Sequence, residues 1–153
     1  MTKAHVTQLL FLGCFRQEKS PYILTGTHIM PIALNLQLFG TKKSSETRAA
    51  ERFFRERGVA PHVVDLAQKA MSGGELRNVA ARVGGFEALI DRAGKRYVDK
   101  GLKYAAPTGP RIEQMLIADP LLLRMPIVRS GNRATVGYVP DVWQSWIDEA
   151  KRG

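Results

Sequence analysis

Residues 34–66 constrain the fold most. The spacing of their apolar residues changes from every second residue, as in a strand, to about 3.6, as in a helix, and then back to that of a strand. Leucines at alternating positions predict a half-buried strand over residues 34–39. Ser44 is typical of a helix start and Gly58 of a helix end, which predicts a helix over residues 44–57. A second short strand is predicted over residues 62–66. A strand, a helix and a parallel strand form a βαβ unit, so the chain is predicted to be an α/β protein.

The rest of the chain adds helices and a hairpin to this unit. Ser72 is typical of a helix cap and opens a predicted helical insert over about 72–118, in which residues 92–108 are polar and loop-like. The remaining predicted elements are a helix over 110–118, hairpin strands over 125–128 and 134–138, and a helix that begins at Pro140. Together these elements predict a four-stranded mixed sheet flanked by helices.

The length of 153 residues provides for one folded domain. Residues 16–32 show neither the helical nor the strand period and carry Pro21 and Pro31, so we predict an irregular tail over 1–33 and a domain over 34–153. A membrane-spanning helix needs about 18 consecutive apolar residues. The sequence has no such run, and no membrane association is expected.

Charge and cysteine content narrow the function classes. The chain has 23 Lys and Arg against 14 Asp and Glu, a formal net charge of +9, which attracts polyanions or acidic protein surfaces. No motif interleaves the basic residues with aromatic ones, so direct nucleic-acid binding is not favoured. Cys14 is the only cysteine, which excludes an internal disulfide and is typical of a cytoplasmic protein. His5, His28 and His62 lack the spacing of metal ligands, and no metal site is predicted.

Three stretches carry residue patterns of one known family. They are residues 38–50 (LFGTKKSSETRAA), 92–97 (RAGKRY) and 117–128 (IADPLLLRMPIV), the last followed by Val136-Gly137-Tyr138. These stretches resemble the family of arsenate reductase (ArsC) and the regulator Spx. The resemblance extends over roughly residues 34–147 and implies a thioredoxin-like fold.

The resemblance also implies that the reactive atom of the family is missing. Family enzymes begin their first helix with a cysteine, and the helix N-terminus lowers the pKa of its thiol so that the thiolate attacks arsenic or a disulfide. Ser44 stands at that position, and Thr47 stands where the Spx branch has its second cysteine. A hydroxyl cannot be oxidised reversibly to a disulfide, so an arsenate-reduction cycle would lack its redox carrier.

The arginines that bind the oxyanion in family reductases are expected to be missing as well. Met125 replaces the arginine that precedes the family's proline, and Tyr138 stands where another arginine is expected. Arg124 lies one place earlier, and along a strand this spacing puts its side chain on the opposite face from Met125.

The resemblance therefore implies a redox-inactive binding or regulatory protein. The Spx branch acts as an adaptor on RNA polymerase, which makes a protein partner the first expectation here. Arg48, Arg52 and Arg55 lie on one side of the predicted first helix and would suit such a contact. The alternatives are a glutathione-binding enzyme that uses the Ser44 hydroxyl, as glutathione transferases do, or residual activity of the arsenate reductase type.

Two interpretations of Ser44 stay open, a plain helix cap and a group that binds glutathione. Pro126, if cis, would leave neighbouring backbone groups free to pair with a peptide such as glutathione. No other cofactor is expected. The candidate ligand-binding residues are Thr41, Lys42, Lys43, Ser44, Met125 and Pro126.

Overall fold

The computed structural model describes residue 32 and residues 34–153. Of the predicted tail only Ile32 is therefore described, and Cys14, His5 and His28 lie outside the described residues. The elements in chain order are β1 (Leu36–Gly40), α1 (Ser45–Glu56), β2 (His62–Asp65), α2 (Gly73–Val83), α3 (Phe86–Leu89), α4 (Lys95–Asp99), α5 (Leu102–Ala105), α6 (Gly109–Ala118), a 3-10 helix (Pro120–Leu122), β3 (Ile127–Ser130), β4 (Arg133–Val136) and α7 (Pro140–Arg152).

The strands form one four-stranded sheet in the order β2-β1-β3-β4. β1 pairs in parallel with β2 and antiparallel with β3, and β3 pairs antiparallel with β4. The predicted mixed sheet and the parallel βαβ unit are confirmed. β1 begins at Leu36 rather than at the predicted residue 34, since its ladder with β3 starts where Leu36 faces Ser130.

The prediction that residues 92–108 form a loop is wrong. The structure has two short helices there, α4 and α5, of five and four residues. Gly94 and Gly101 precede these helices, so the glycines that indicated a loop mark helix starts. No helix within residues 34–153 has the length and apolar character needed to cross a membrane.

The sheet separates two apolar cores, because successive side chains of β1 point to opposite faces. Leu36 and Leu38 contribute to the core beneath α1 and α7, in which Trp143 is fully buried and its ring centroid lies 5.2 Å from that of Phe54. Phe39 contributes to the other core, which the helices between β2 and β3 cover. This packing fixes the C-terminal end of β1 and the start of α1 relative to the segment before β3.

Candidate functional site

The turn between β1 and α1 is held by backbone hydrogen bonds and one side chain. The Ser44 amide donates to the Thr41 carbonyl at 3.0 Å, which closes the turn. Ser44 is the N-cap of α1, and its Oγ accepts a hydrogen bond from the Thr47 amide at 3.2 Å. The cap therefore satisfies one of the amides that a helix leaves without an intrahelical partner, as predicted. The amides of Ser45 and Glu46 precede that one at the same helix end.

The start of α1 lies directly against the end of β1. A Cβ at Gly40 would overlap the Thr47 side chain, so this position requires glycine. Thr47 is only 3% exposed. Its Oγ1 is the single buried side-chain polar atom in the described part of the chain that has no hydrogen-bond partner. The contact fixes the position of the α1 N-terminus.

A cavity of about 700 Å³ opens in front of this helix end. It adjoins a cavity of about 510 Å³, and both are lined by Glu46, Asp91 and Met125. We call the two cavities together the groove. Charged side chains of both signs line it: Lys43, Glu46, Glu87, Asp91, Arg92, Lys95, Arg96 and Arg124.

The wall of the groove opposite α1 is built on Asp91 and α4. The Asp91 carboxylate accepts from the Ala93 amide at 3.2 Å, and a Cβ at Gly94 would lie 2.5 Å from Asp91 Oδ2, so a larger residue at position 94 would displace this carboxylate. Arg96 donates to the buried Asp119 carboxylate at 2.6 Å, and Lys100 contacts the same carboxylate at 2.9 Å. These contacts anchor α4 beside the groove.

The pKa of Asp119 reflects these neighbours. Burial acts to raise the pKa of this carboxyl group, but the hydrogen bonds from Arg96 and Lys100 outweigh burial and hold it below its usual value. The carboxylate also accepts from the Leu121 amide at 3.2 Å, which caps the 3-10 helix. Asp119 is therefore charged and structural, and it ties α4 to the segment that leads to β3.

The segment before β3 forms the remaining side of the groove. The Met125–Pro126 peptide bond is cis, and the Pro126 carbonyl accepts from the Gly137 amide at 2.8 Å. Arg124 and Met125 both line the smaller cavity. Both precede β3, which begins at Ile127, so they lie outside the strand whose alternation the sequence argument used.

The predicted ligand-binding residues fall into two groups. Thr41, Lys43, Ser44 and Met125 come together on the larger cavity of the groove. Lys42 instead lines a separate cavity of about 220 Å³, next to Thr47 and Val63 at the edge strand β2. Pro126 is buried and lines neither cavity of the groove.

Sequence reasoning assigned none of Asp91, Lys95 and Arg96, on the wall opposite α1, to the site, and it did not place Arg124 beside the groove. These residues are far from Ser44 along the chain, and no local periodicity reports their distance from it. One signal was present: Asp91 precedes a glycine by three residues, a pattern typical of a turn closed by an aspartate side chain.

Comparison with known proteins gives a consistent result. The family model described as the ArsC family matches residues 39–146. An arsenate reductase from Vibrio cholerae superposes with a TM-score of 0.65 at 20% identity, over 74% of this chain and 98% of that chain. A protein from Bacteroides fragilis described as ArsC-family related gives a TM-score of 0.67 at 17% identity, over 74% and 98%. A protein from Brucella melitensis described as related to arsenate reductase gives 0.59 at 16%, over 74% and 95%. No curated protein sequence matches the chain.

Proposed function

Because this chain belongs to the ArsC family and has its thioredoxin-like fold, we propose that it is a redox-inactive member that acts by binding a protein partner, as a regulator or adaptor. The observation that carries the proposal is the hydroxyl of Ser44 at the mouth of α1, on the larger cavity of the groove. By resemblance, the family has its reactive cysteine at this position. RNA polymerase in the cytoplasm is the partner that the resemblance to Spx suggests.

The difference in chemistry between a cysteine sulfur and the Ser44 hydroxyl oxygen supports this proposal. A thiol at a helix N-terminus loses its proton easily, and the thiolate can attack a disulfide and be regenerated. A serine hydroxyl has no such lowered pKa and forms no disulfide, so electrons cannot be passed on. The N-cap bond to the Thr47 amide gives Ser44 a structural role that does not need reactivity.

The absence of the family's anion-binding arginine before Pro126 also supports the proposal. Met125 precedes Pro126 where the family's reductases have an arginine, and the side chain of Arg124 lies against Gly137, whose Cβ would be 3.4 Å from Arg124 Nε. The acids Glu46 and Asp91 line the same cavities and offset part of the positive charge of the cations there. We infer that arsenate is not the ligand.

The test is an arsenate-reduction assay with glutathione and glutaredoxin, with an active arsenate reductase as the positive control. We expect turnover no greater than without protein. Any turnover above this level would contradict the redox-inactive assignment. Turnover that survives Cys14→Ser would place the activity in the folded domain, and turnover that is lost in Cys14→Ser would assign it to the Cys14 thiol. Retention of RNA polymerase by the tagged protein, compared with a tagged unrelated protein, tests the partner.

A second candidate function is glutathione binding beside Ser44. The groove combines cations suited to the two carboxylates of glutathione, such as Lys43 and Lys95, with acids suited to its amino group, such as Glu46. We would titrate reduced and oxidised glutathione and follow the amide signals of 41–47, 125 and 127. Shifts at millimolar or lower concentration that weaken in Ser44→Ala but persist in Ser45→Ala would support this candidate. Unchanged spectra would remove it.

A further inference from the structure

The two most exposed large hydrophobic side chains of the described residues lie on the short helices α4 and α5. Val98 on α4 is 58% exposed and Tyr104 on α5 is 90% exposed, the two highest values among the exposed large hydrophobic residues of the described chain. We infer that the surface formed by Lys95, Val98, Lys100, Lys103 and Tyr104, here called the α4–α5 surface, docks a short acidic segment of a partner protein that carries an aromatic or aliphatic anchor. This inference rests on the proposed function and specifies where the partner binds.

The positive charge of this surface favours a partner segment of negative charge. Residues 95–104 contain four cations and one acid, Asp99, a net charge of +3, and the Asp119 carboxylate that pairs with Arg96 and Lys100 lowers this to +2. Lys95 pairs with Asp99 at 2.7 Å, and Lys100 shares Asp119 with Arg96. Lys103 has no ion pair within the described residues and is adjacent to Tyr104 in the chain. An acidic ligand would therefore meet an excess of positive charge beside an apolar anchor site.

The same details argue for a protein segment rather than a nucleic acid. Nucleic-acid binding increases with the number of phosphates that cations neutralise, and single strands also need several aromatic platforms on which bases stack. Here Lys95 and Lys100 are paired with carboxylates of the chain itself, Lys103 is the one cation of the α4–α5 surface without such a pair in the described residues, and Tyr104 is its one aromatic residue. A few charges and two apolar side chains match a short peptide with one anchor.

The surface is also held in shape before any partner binds. Tyr97 is buried and its hydroxyl donates to the Leu102 carbonyl at 3.2 Å, which connects α4 to α5. The Gly101 amide donates to the Val98 carbonyl at 2.9 Å. A preformed surface loses little conformational entropy on binding, so a small contact area can suffice.

The arginine face of α1, which the sequence suggested for a partner, offers less. Arg48 donates to the Lys42 carbonyl at 3.1 Å and Arg55 pairs with Glu51, so two of its three arginines are engaged. None of the exposed large hydrophobic residues of the described chain lies on α1. The α1 face therefore provides cations without an anchor and serves as the control surface.

The experiment uses the full chain and three fluorescein-labelled probes of equal charge: a peptide of alternating glutamate and phenylalanine, an all-glutamate peptide and a single-stranded thymidine oligonucleotide. We expect the glutamate–phenylalanine peptide to bind most tightly and to shift the amide signals of residues 95–104. Tyr104→Ala should weaken the binding of this peptide about tenfold, whereas Tyr104→Phe, which keeps the aromatic ring, should bind it as tightly as the unaltered protein. Lys103→Glu should weaken binding several-fold more than Arg52→Glu, which changes the net charge equally on α1.

Several results would overturn the inference: no binding of the glutamate–phenylalanine peptide, equal or tighter binding of the oligonucleotide, shifts confined to residues outside 95–104, or equal effects of Lys103→Glu and Arg52→Glu. Melting temperatures of the variants exclude misfolding as the cause, since Lys103 and Tyr104 are exposed. Disulfide or arsenate turnover by the unaltered protein would contradict the proposed function without changing these binding results. The two failures are therefore distinguishable.

Discussion

The N-termini of α1 and α2 begin with the same residue type and differ in what that residue does. Ser72 closes a capping box at α2: its Oγ accepts from the Glu75 amide at 3.3 Å, and the Glu75 carboxylate accepts from the Ser72 amide at 2.9 Å and from the Ser72 hydroxyl at 2.8 Å. Ser44 accepts from the Thr47 amide, but Thr47 has no carboxylate to return the bond. The α1 cap therefore has only the first of the two reciprocal hydrogen bonds of the α2 capping box.

This difference leaves Ser44, unlike Ser72, with a hydroxyl that no carboxylate of its own helix binds. At α2 the partner acid satisfies the serine from within the helix. At α1 the corresponding residue is Thr47, which is buried and has no carboxylate, and Ser44 itself lines the groove together with Lys43 and Met125. A hydroxyl hydrogen without an acceptor in the described chain, next to a helix N-terminus, is suited to meet an anionic or thiolate group from outside.

The largest expected effect concerns the contact that positions α1. Gly40→Ala should lower the free energy of unfolding by about 2 kcal/mol, because the new Cβ overlaps Thr47. Gly74→Ala in the first turn of α2 is the matched control: a Cβ there has no atom within 4 Å and should stabilise by about 0.5–1 kcal/mol. Urea unfolding of both variants measures the difference. Equal stability of the two would mean that the start of α1 is not tightly seated.

The next effect compares the two caps. Ser72→Ala should cost about 1–2 kcal/mol of unfolding free energy, since it removes the acceptor for the Glu75 amide and the hydroxyl that binds the Glu75 carboxylate. Ser44→Ala should cost about 1 kcal/mol or less, because one bond is lost. Thermal unfolding under identical conditions measures the order. A larger loss in Ser44→Ala would contradict the view that α1 has the less complete cap.

The smallest effect is a pH dependence at α2. Hydrogen bonds from the Ser72 backbone and hydroxyl hold the pKa of Glu75 below its usual value. A lowered pKa in the folded state contributes stability that is present above the unfolded value, about 4.5, and is lost as the pH falls through the folded value. Glu75→Gln keeps the capping geometry without the charge, so wild type should be more stable at neutral pH by a few tenths of a kcal/mol. An advantage that persists at pH about 2 would contradict this assignment.

The sequence predicted the two caps well because capping is local. Ser44 and Ser72 each stand a few residues from the group they bond, so residue type and spacing suffice. The helices α4 and α5 escaped prediction since four or five residues are too few to display the helical period. The wall of the groove opposite α1 was not predicted for a different reason. The hydrogen bond that anchors Arg96 beside the groove goes to the buried Asp119, 23 positions away along the chain, and local sequence patterns do not report such contacts.

The central claim is that the N-terminus of α1 would lower the pKa of a thiol at position 44. We propose that the protein is redox-inactive because this position is a serine. The most direct test is the pKa of an introduced thiol, measured by thiolate absorbance in Ser44→Cys and in Ser72→Cys, both with Cys14→Ser. We predict a pKa below the usual value of about 8.5 for the thiol at position 44, which the Thr47 amide would stabilise as a thiolate. We predict a higher pKa at position 72, beside the Glu75 carboxylate. Equal values, or the reverse order, would contradict the claim.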